Sequence, residues 1–179
     1  HFSTVVTTGV YWRYGNMLKP DLERDLPGLR VKLSPSAGSV QNVERVASGQ
    51  ATLAIAAADA VADYRGPGRE RLVACARLYD DYVHLLARAD AGVYSAAGLK
   101  GRRVAVGQPG SGVNLLATRL LRAAGLNPRK DIRAVPVGID EAPKRMRKGE
   151  IDAFFWSGGL PTATVTDLTR SLATRVIPL

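Results

Sequence analysis

The sequence predicts an α/β protein made of two lobes, and its patterning supports this in several ways. Strand-like and helix-like segments alternate along the whole chain. The strand-like segments are short and mostly apolar, as in Ala51–Ala56, which suits strands covered on both faces of a parallel sheet. The alternation starts again near residue 90. We therefore predict that residues 1–89 form the first part of lobe one and residues 90–179 form lobe two.

The first series opens with a predicted strand over Phe2–Thr7 and a predicted helix over Tyr11–Asp25. Ser39 is expected to cap the next helix, whose apolar residues recur at helical spacing until Gly49. The other segments of this series are predicted strands: Leu29–Leu33, Ala51–Ala56, Leu72–Leu78 and Tyr82–Ala89.

The second series opens with a predicted strand over Arg103–Val106. A helix follows, which Ser111 is expected to cap and Gly125 to end. The later segments continue the alternation as strand Ile132–Val137, helix Glu141–Lys148, strand Ile151–Trp156, helix Ala163–Leu172 and strand Arg175–Pro178.

Charge and composition restrict the function classes. The net charge is +9, and residues 90–179 hold 14 basic and 7 acidic residues. A basic half suits acidic ligands, anionic surfaces or nucleic acid, although an Arg/Ala-rich composition explains it equally well. No aromatic stacking platform or nucleic-acid motif accompanies the charge, so we predict no nucleic-acid partner. The single cysteine, Cys75, lies in an apolar run and is expected in the core.

Three turns rich in Gly, Ser and Thr each follow a predicted strand and open a predicted helix, at residues 7–11, 36–40 and 107–112. Ligands of open α/β sheets bind at the carboxyl ends of strands, and helix N-termini favour anions. Convergence of the three turns would therefore create a site for a carboxylate or similar group. The alternative for each turn is that its serine only caps a helix.

The third turn does not satisfy the catalytic motifs that it partly matches. Val113-Asn114 stands where a P-loop requires Lys-Ser/Thr. A nucleophile elbow around Ser111 would need glycines in place of Pro109 and Val113. The chain has 2 histidines and 1 cysteine, too few for a convincing triad or zinc site. We therefore predict a binding protein and not an enzyme.

An ordered set of short motifs runs through nearly the whole chain. Together they resemble the TAXI family, the solute receptors of tripartite ATP-independent periplasmic (TRAP) transporters. The matching stretches are residues 7–11 with Gly15, 37–42, 47–51, 83–84, 88–90, 99–107, 109–112, 151–155 and 161–163.

The resemblance implies a two-lobed, type II periplasmic-binding-protein-like fold without catalysis, metal or cofactor. It also implies export, to the periplasm or to the cell surface as a lipoprotein. The implied partners are a small anionic solute, such as glutamate or glutamine, and a TRAP membrane permease. The expected ligand contacts in an interlobe cleft are Thr8, Gly9, Tyr11, Gly38, Ser39, Val40, Asp59, Pro109, Gly110, Ser111, Gly112, Asn114 and Trp156.

Departures from the family pattern leave some questions open. Ala57-Ala58-Asp59 stands where the family often has Gln-Ser-Asp, so the ligand is not identified; Asp59 would suit an amino group. Family members continue beyond the point that matches Leu179 and return to lobe one. We therefore expect lobe one to be incomplete, or completed by a partner in a homodimer, because exposed sheet edges invite pairing. The alternative function is a sensor lipoprotein coupled to a two-component kinase.

Overall fold

A computed structural model describes residues 1–5 and 9–179, and their contacts group them into two compact units. Unit 1 comprises His1–Leu78 and the loop Gly110–Gly112. Unit 2 comprises Tyr79–Pro109 and Val113–Leu179. The loop Gly110–Gly112 therefore belongs to unit 1, although the chain on either side of it belongs to unit 2.

Unit 1 is built on a parallel three-stranded sheet with the strand order β2-β1-β3. In the register of this sheet, Phe2 lies opposite both Leu33 and Leu53. The elements of unit 1 are β1 (Phe2–Ser3), α1 (Val10–Asp25), β2 (Leu33–Ser34), α2 (Ser39–Ala47), β3 (Leu53–Ala54), α3 (Ala58–Asp63) and a 3-10 helix over Arg69–Arg71.

Unit 2 contains a mixed five-stranded sheet with the order β6-β5-β7-β4-β8. Its central pairs are parallel between β5 and β7 and antiparallel between β7 and β4. The elements are β4 (Tyr82–Arg88), β5 (Arg103–Ala105), α4 (Gly112–Ala123), β6 (Arg133–Val135), α5 (Ala142–Arg147), β7 (Ala153–Gly158), α6 (Ala163–Ser171) and β8 (Thr174–Ile177), with 3-10 helices over Ala89–Ala91 and Ala96–Leu99. The first residue of α4, Gly112, lies in unit 1.

The sheet of unit 2 separates two apolar cores. Leu85, Val104 and Phe155 pack on one face together with Leu121 of α4. Consecutive strand residues point to opposite faces, so their neighbours Leu86, Ala105 and Phe154 pack on the other face with Leu168 of α6. The sheet is thus covered on both faces, as its apolar strands predict.

The segment Leu72–Leu78 departs most from the prediction. It was expected to be a strand, but the structure contains no strand there. Cys75, expected in a core, is exposed. The prediction was wrong because an apolar run is buried only where another segment covers it, and no strand pairing among the described residues includes this run.

The boundary between unit 1 and unit 2 lies after Leu78, whereas the division between lobes predicted from the sequence lies after residue 89. The difference arises because β4 pairs with β7 and β8 in the sheet of unit 2, and this pairing has no signature in local periodicity. Among the described residues, no helix combines the length and apolar character needed to cross a membrane.

Candidate functional site

The carboxyl ends of the three strands in unit 1 define one edge of its sheet. Since β1, β2 and β3 are parallel, the residues that follow them emerge at this same edge. The helices α1, α2 and α3 begin after β1, β2 and β3 in turn. Thr8, a predicted ligand contact, lies outside the described residues, so its role stays a prediction.

The Ser39 hydroxyl lies where three of these helices begin. It accepts a hydrogen bond from the backbone N–H of Ala57, which precedes α3, at 3.0 Å. It also lies 3.1 Å from the hydroxyl of Tyr11 in the first turn of α1. The N-cap of α2 is Gly38, without a side-chain cap bond, so the expectation that Ser39 caps this helix is wrong. Its side chain instead points into a buried position, where it links α1 to α3.

The loop Gly110–Gly112 packs directly against the start of α2. The backbone N–H of Gln41 donates to the carbonyl oxygen of Gly110 at 3.2 Å. Gly38 has a φ of 131°, and a Cβ there would lie 3.3 Å from Cα of Ser111. A Cβ on Gly112 would lie 3.2 Å from Oγ of Ser39. The positive φ of Gly38 favours glycine there, and Gly112 is closely packed against Ser39. This contact brings the second and third predicted turns together.

We call these residues the helix-start cluster, which comprises Gly9, Tyr11, Gly38, Ser39, Ala57 and Gly110–Gly112. Helices α1 and α2 of 16 and 9 residues begin in it. Each helix start carries a partial positive charge, and such starts favour anions. None of the cluster residues is basic. An anion here would therefore be held by backbone dipoles and neutral hydroxyls.

Asp59 lies in the first turn of α3, close in sequence to Ala57 of the cluster. Its Oδ1 accepts a hydrogen bond from the backbone N–H of Ala60 at 2.9 Å, and the residue is half-buried. A carboxylate in this position stabilises the start of α3. It also supplies the negative charge that would complement an ammonium group on a ligand.

Asn42 forms a second, fully buried layer behind the cluster. Its Oδ1 lies 2.6 Å from the hydroxyl oxygens of both Ser3 and Ser36. Its Nδ2 donates to the carbonyl oxygens of Thr4 and, at 2.8 Å, Ile55. Because these residues lie at or just beyond the ends of β1, β2 and β3, one amide ties together the strand ends from which the cluster emerges.

The sequence prediction did not include this polar layer. The signal was present, because Ser39, Asn42, Val43 and Ala47 recur at helical spacing and are the buried residues of α2. A polar residue at a core position requires internal hydrogen-bond partners. The apolar residues at helical spacing are Val40, Val43, Val46 and Ala47, of which Val43 and Ala47 are buried and Val40 and Val46 are half-buried.

The remaining predicted contacts belong to unit 2. Nδ2 of Asn114 donates to the carbonyl oxygen of Val106 at 3.2 Å, which fastens α4 to the residue after β5. Nε1 of Trp156 donates to Oγ1 of Thr162 at 3.0 Å, so it holds the turn before α6. Pro109 is exposed. Both polar side chains have structural partners, and their ligand contacts stay predictions.

An ion pair holds the amino ends of β5 and β7 in unit 2. The guanidinium of Arg103 contacts both carboxylate oxygens of Asp152, at 2.5 and 3.1 Å, and donates to the carbonyl of Gly149 at 2.6 Å. Burial raises the pKa of Asp152, but the side-chain and backbone hydrogen bonds from Arg103, together with its charge, outweigh that effect. The pKa of Asp152 is therefore below its ordinary value.

Comparison with known proteins identifies a family that matches this chain. A family model described as the NMT1-like family matches residues 2–179. In this structure the matched range includes the helix-start cluster, the Asn42 layer and both sheets.

Solved structures share this fold at low sequence identity. The alkanesulfonate-binding protein SsuA from Xanthomonas axonopodis pv. citri, bound to MOPS, aligns with a TM-score of 0.60 and 21% identity over 99% of this chain and 58% of its own. A binding protein component of an ABC phosphonate transporter from Pseudomonas aeruginosa aligns with a TM-score of 0.66 and 14% identity, over 99% of this chain and 63% of its own. An ancestral arginine-binding protein bound to arginine aligns with a TM-score of 0.59 and 16% identity, over 92% of this chain and 67% of its own.

These likenesses confirm the predicted type II periplasmic-binding-protein-like fold. The chain spans less than two thirds of the length of the first two of these proteins. At these identities the similarity concerns the fold alone, and the ligands of the neighbours are properties of those proteins.

Proposed function

Because the chain belongs to the NMT1-like family, we propose that it is an extracytoplasmic solute-binding receptor that presents a small anionic solute to a membrane transporter. It would bind the solute without changing it chemically. The observation that carries this proposal is the helix-start cluster, where several helix N-termini and two hydroxyl groups meet around Ser39.

The chemistry of the cluster favours a compact anion. Backbone N–H groups at helix starts bind carboxylate, sulfonate and phosphonate groups by the same dipolar attraction. One of the Tyr11 and Ser39 hydroxyls donates to the other, so the pair offers at most one O–H to an oxygen atom of such a group. The absence of a basic side chain among the cluster residues favours an anion of low charge, since each further negative charge would need a cation.

We propose an amino acid with an acidic or amide side chain, such as glutamate or glutamine, as the ligand. The carboxylate would lie at the helix starts, and the ammonium group would lie near Asp59. This choice rests on the position of Asp59 in the first turn of α3, two residues after Ala57. The competing ligand class is the alkanesulfonates and phosphonates named for two of the structural neighbours. A ligand of this class without an ammonium group would not need an acidic side chain such as Asp59.

The transporter partner is a finer proposal. The TAXI resemblance favours a TRAP permease, whereas the structural neighbour from Pseudomonas aeruginosa is described as a binding protein component of an ABC phosphonate transporter. Copurification of the tagged receptor with a TRAP permease or with an ABC permease, each in detergent and with solute present, distinguishes the two.

Titration calorimetry tests the binding proposal. Glutamate, glutamine, alkanesulfonates and phosphonates are titrated into the protein and into Gly112→Val. Gly112→Val should weaken binding about tenfold or more, because the new side chain would occupy the space beside Oγ of Ser39. Ala123→Val, at the exposed last residue of the same helix α4, is the matched control and should bind normally.

Calorimetry of Asp59→Asn distinguishes amino acids from sulfonates as the ligand class. Weaker binding of amino acids with unchanged binding of sulfonates would support the proposed ammonium contact. The absence of heat with every one of these anions would contradict the proposal that the cluster binds an anionic solute.

A further inference from the structure

The starts of four strands define one end of the sheet in unit 2. Strands β5, β6, β7 and β8 are parallel to one another and β4 is antiparallel to them, so β4 ends where the other four begin. Arg103 at the start of β5 lies opposite Arg133 at the start of β6. The backbone N–H of Arg88, the last residue of β4, donates to the carbonyl oxygen of Asp152 just before β7. Helices α4, α5 and α6 also end here, because each precedes one of these strands.

This end of unit 2 holds most of the protein's excess positive charge. We call it the basic end, and it comprises residues 88–103, 122–133, 147–152 and 170–175. These segments hold 12 basic and 4 acidic residues, which is +8 of the net charge of +9. The rest of the chain holds 13 basic and 12 acidic residues and is nearly neutral. A general bias of composition towards arginine would spread the charge, so its concentration here needs a local explanation.

The opposite end of the same sheet has the opposite charge. The segments there, residues 79–81, 106–109, 136–141 and 159–162, hold 4 acidic residues and neither lysine nor arginine. Charge is therefore separated along the strand direction. Ligands of open α/β sheets bind at the carboxyl ends of strands, so a partner on the basic end would leave the carboxyl ends of β5, β6 and β7 open.

Internal partners neutralise little of the basic end. Its ion pairs join Arg88 to Asp90 and Arg103 to Asp152. Helix C-termini also favour cations, but each carries a partial charge of only about one half. The ends of α4, α5 and α6 therefore offset fewer than two of the eight positive charges.

The loop between α4 and β6 presents the most accessible cations of this end. Arg129, Lys130 and Arg133 are exposed. Within the part of the chain that the structure describes, none of the three forms an ion pair. Such cations attract anions from solution, and a guanidinium binds phosphate through two parallel N–H donors.

An exposed aromatic ring accompanies these cations. Tyr94 is 66% exposed, and the guanidinium carbon of Arg175 lies 4.2 Å from the centre of its ring. Tyrosine has an apolar ring and a polar hydroxyl, and it is enriched where membranes meet water. Arginine beside exposed tyrosine therefore suits a surface on which phosphate groups cover hydrocarbon.

We infer that the basic end of unit 2 is a docking surface for a membrane of anionic phospholipids. The choice of a membrane over nucleic acid rests on the proposed function, which places the protein outside the cytoplasm beside a transporter. The two proposals can fail separately, because the vesicle assay below contains no solute and the calorimetry of solute binding contains no lipid.

Cosedimentation with vesicles tests the docking surface. The protein should bind vesicles of phosphatidylglycerol and phosphatidylcholine in equal parts, but not vesicles of phosphatidylcholine alone. High salt should release it, because counter-ions screen the attraction. Each lysine or arginine near an anionic membrane strengthens binding about fivefold. The triple variant Arg129→Ala, Lys130→Ala, Arg133→Ala should therefore bind about tenfold or more weakly.

A second triple variant controls for net charge. Arg13→Ala, Arg30→Ala, Lys32→Ala removes the same residue types from exposed positions of unit 1 and should bind nearly as well as the wild type. In the first variant, the backbone N–H groups of Lys130 and Arg133 keep their carbonyl partners, so the fold should be retained. Far-UV circular dichroism of both variants checks this.

The contacting surface is located with Tyr94→Trp. Brominated lipids quench tryptophan emission at close range, and quenching in anionic vesicles should exceed that of the parent protein, whose tryptophans are Trp12 and Trp156.

Four outcomes would overturn the inference. A protein that does not bind anionic vesicles at low salt has no such surface. Equal loss of binding in the two triple variants would show that net charge alone is responsible. Vesicle binding without added quenching of Tyr94→Trp would assign the contact to another surface. Retention on polyglutamate or DNA without binding to vesicles would identify an acidic protein or a nucleic acid as the partner instead.

Discussion

The hydroxyl groups of Tyr11 and Ser39 lie 3.1 Å apart, so the first turn of α1 is fastened to the first residue of α2. Ser39 is also bonded to the backbone N–H of Ala57. The starts of three helices therefore depend on two small polar groups at the proposed binding site.

Tyr11→Phe should weaken the proposed site more than it weakens the fold. Removal of one partly buried hydrogen bond costs about 1 kcal/mol of unfolding free energy. Solute affinity should fall further, because the hydroxyl is lost from the cluster as well. Urea unfolding and calorimetry measure the two effects. Tyr94→Phe changes an exposed tyrosine of unit 2 and should alter neither, and equal behaviour of the two variants would contradict the role of Tyr11.

Asn42→Leu should be among the most destabilising substitutions in unit 1. It leaves the carbonyl oxygens of Thr4 and Ile55 and the hydroxyls of Ser3 and Ser36 without their amide partner in a buried place. Each buried polar group left without a partner costs about 1–3 kcal/mol, so a total loss of about 3 kcal/mol or more is expected in urea unfolding.

The matched control for this substitution is Asn16→Leu. Asn16 makes one hydrogen bond, from Nδ2 to the carbonyl oxygen of Trp12, and lies at an exposed position on α1. Its replacement should change the unfolding free energy by less than about 0.5 kcal/mol. A similar loss for both variants would show that the Asn42 layer does not hold the strand ends.

Asp152 should make the stability of unit 2 depend on pH. Its pKa is lowered in the folded protein, so folding is favoured above the unfolded pKa of about 3.9 and the stabilisation is lost as the pH falls through the folded value. Asp152→Asn should therefore lower stability at neutral pH and flatten its acid dependence. Urea unfolding between neutral and acidic pH measures this. Asp167→Asn, exposed on α6, should keep the wild-type profile.

Leu168→Ala tests the core between α6 and the sheet of unit 2. Leu168 is completely buried in the cluster with Phe154 and Leu86. Truncation leaves a cavity and should cost about 2–5 kcal/mol. Val176→Ala on β8 removes a side chain that is 62% exposed, and it should cost less than about 1 kcal/mol. Thermal unfolding of both variants gives the comparison.

Sequence patterning predicted the α-helices of the described residues in the right order, except α3 (Ala58–Asp63), which it did not predict. The predicted helix over Tyr11–Asp25 differs from α1 by one residue, and the prediction of β4 ends one residue late. These elements are defined by local periodicity, which a single sequence contains. Strands β2 and β3 are shorter than predicted because a strand extends only as far as its neighbours pair with it, and each pairs with β1 over two residues. The predicted strand Phe2–Thr7 lies partly outside the described residues.

The failures have a common physical cause, which is that burial is decided by distant segments. The run around Cys75 has the composition of a core strand but no strand partner among the described residues. Asn42 has a polar side chain of the kind that usually lies at the surface. It lies in the core because partners at or just beyond the ends of three strands satisfy its amide. Helical spacing places Asn42 on the buried face of α2, but the segments that cover a run or satisfy an amide cannot be deduced from the residues on either side of it.

The separation between the Asn42 layer and the turns in front of it bears on how such a receptor can acquire new specificities. The side chain that joins the strand ends is not one of those proposed to contact solute. With Val40 and Asp59 as the proposed solute contacts, substitutions there would change recognition while the frame behind them stays intact. We expect a library randomised at these two positions to contain mostly folded proteins, so that selection for a new solute can act on affinity and not on survival of the fold.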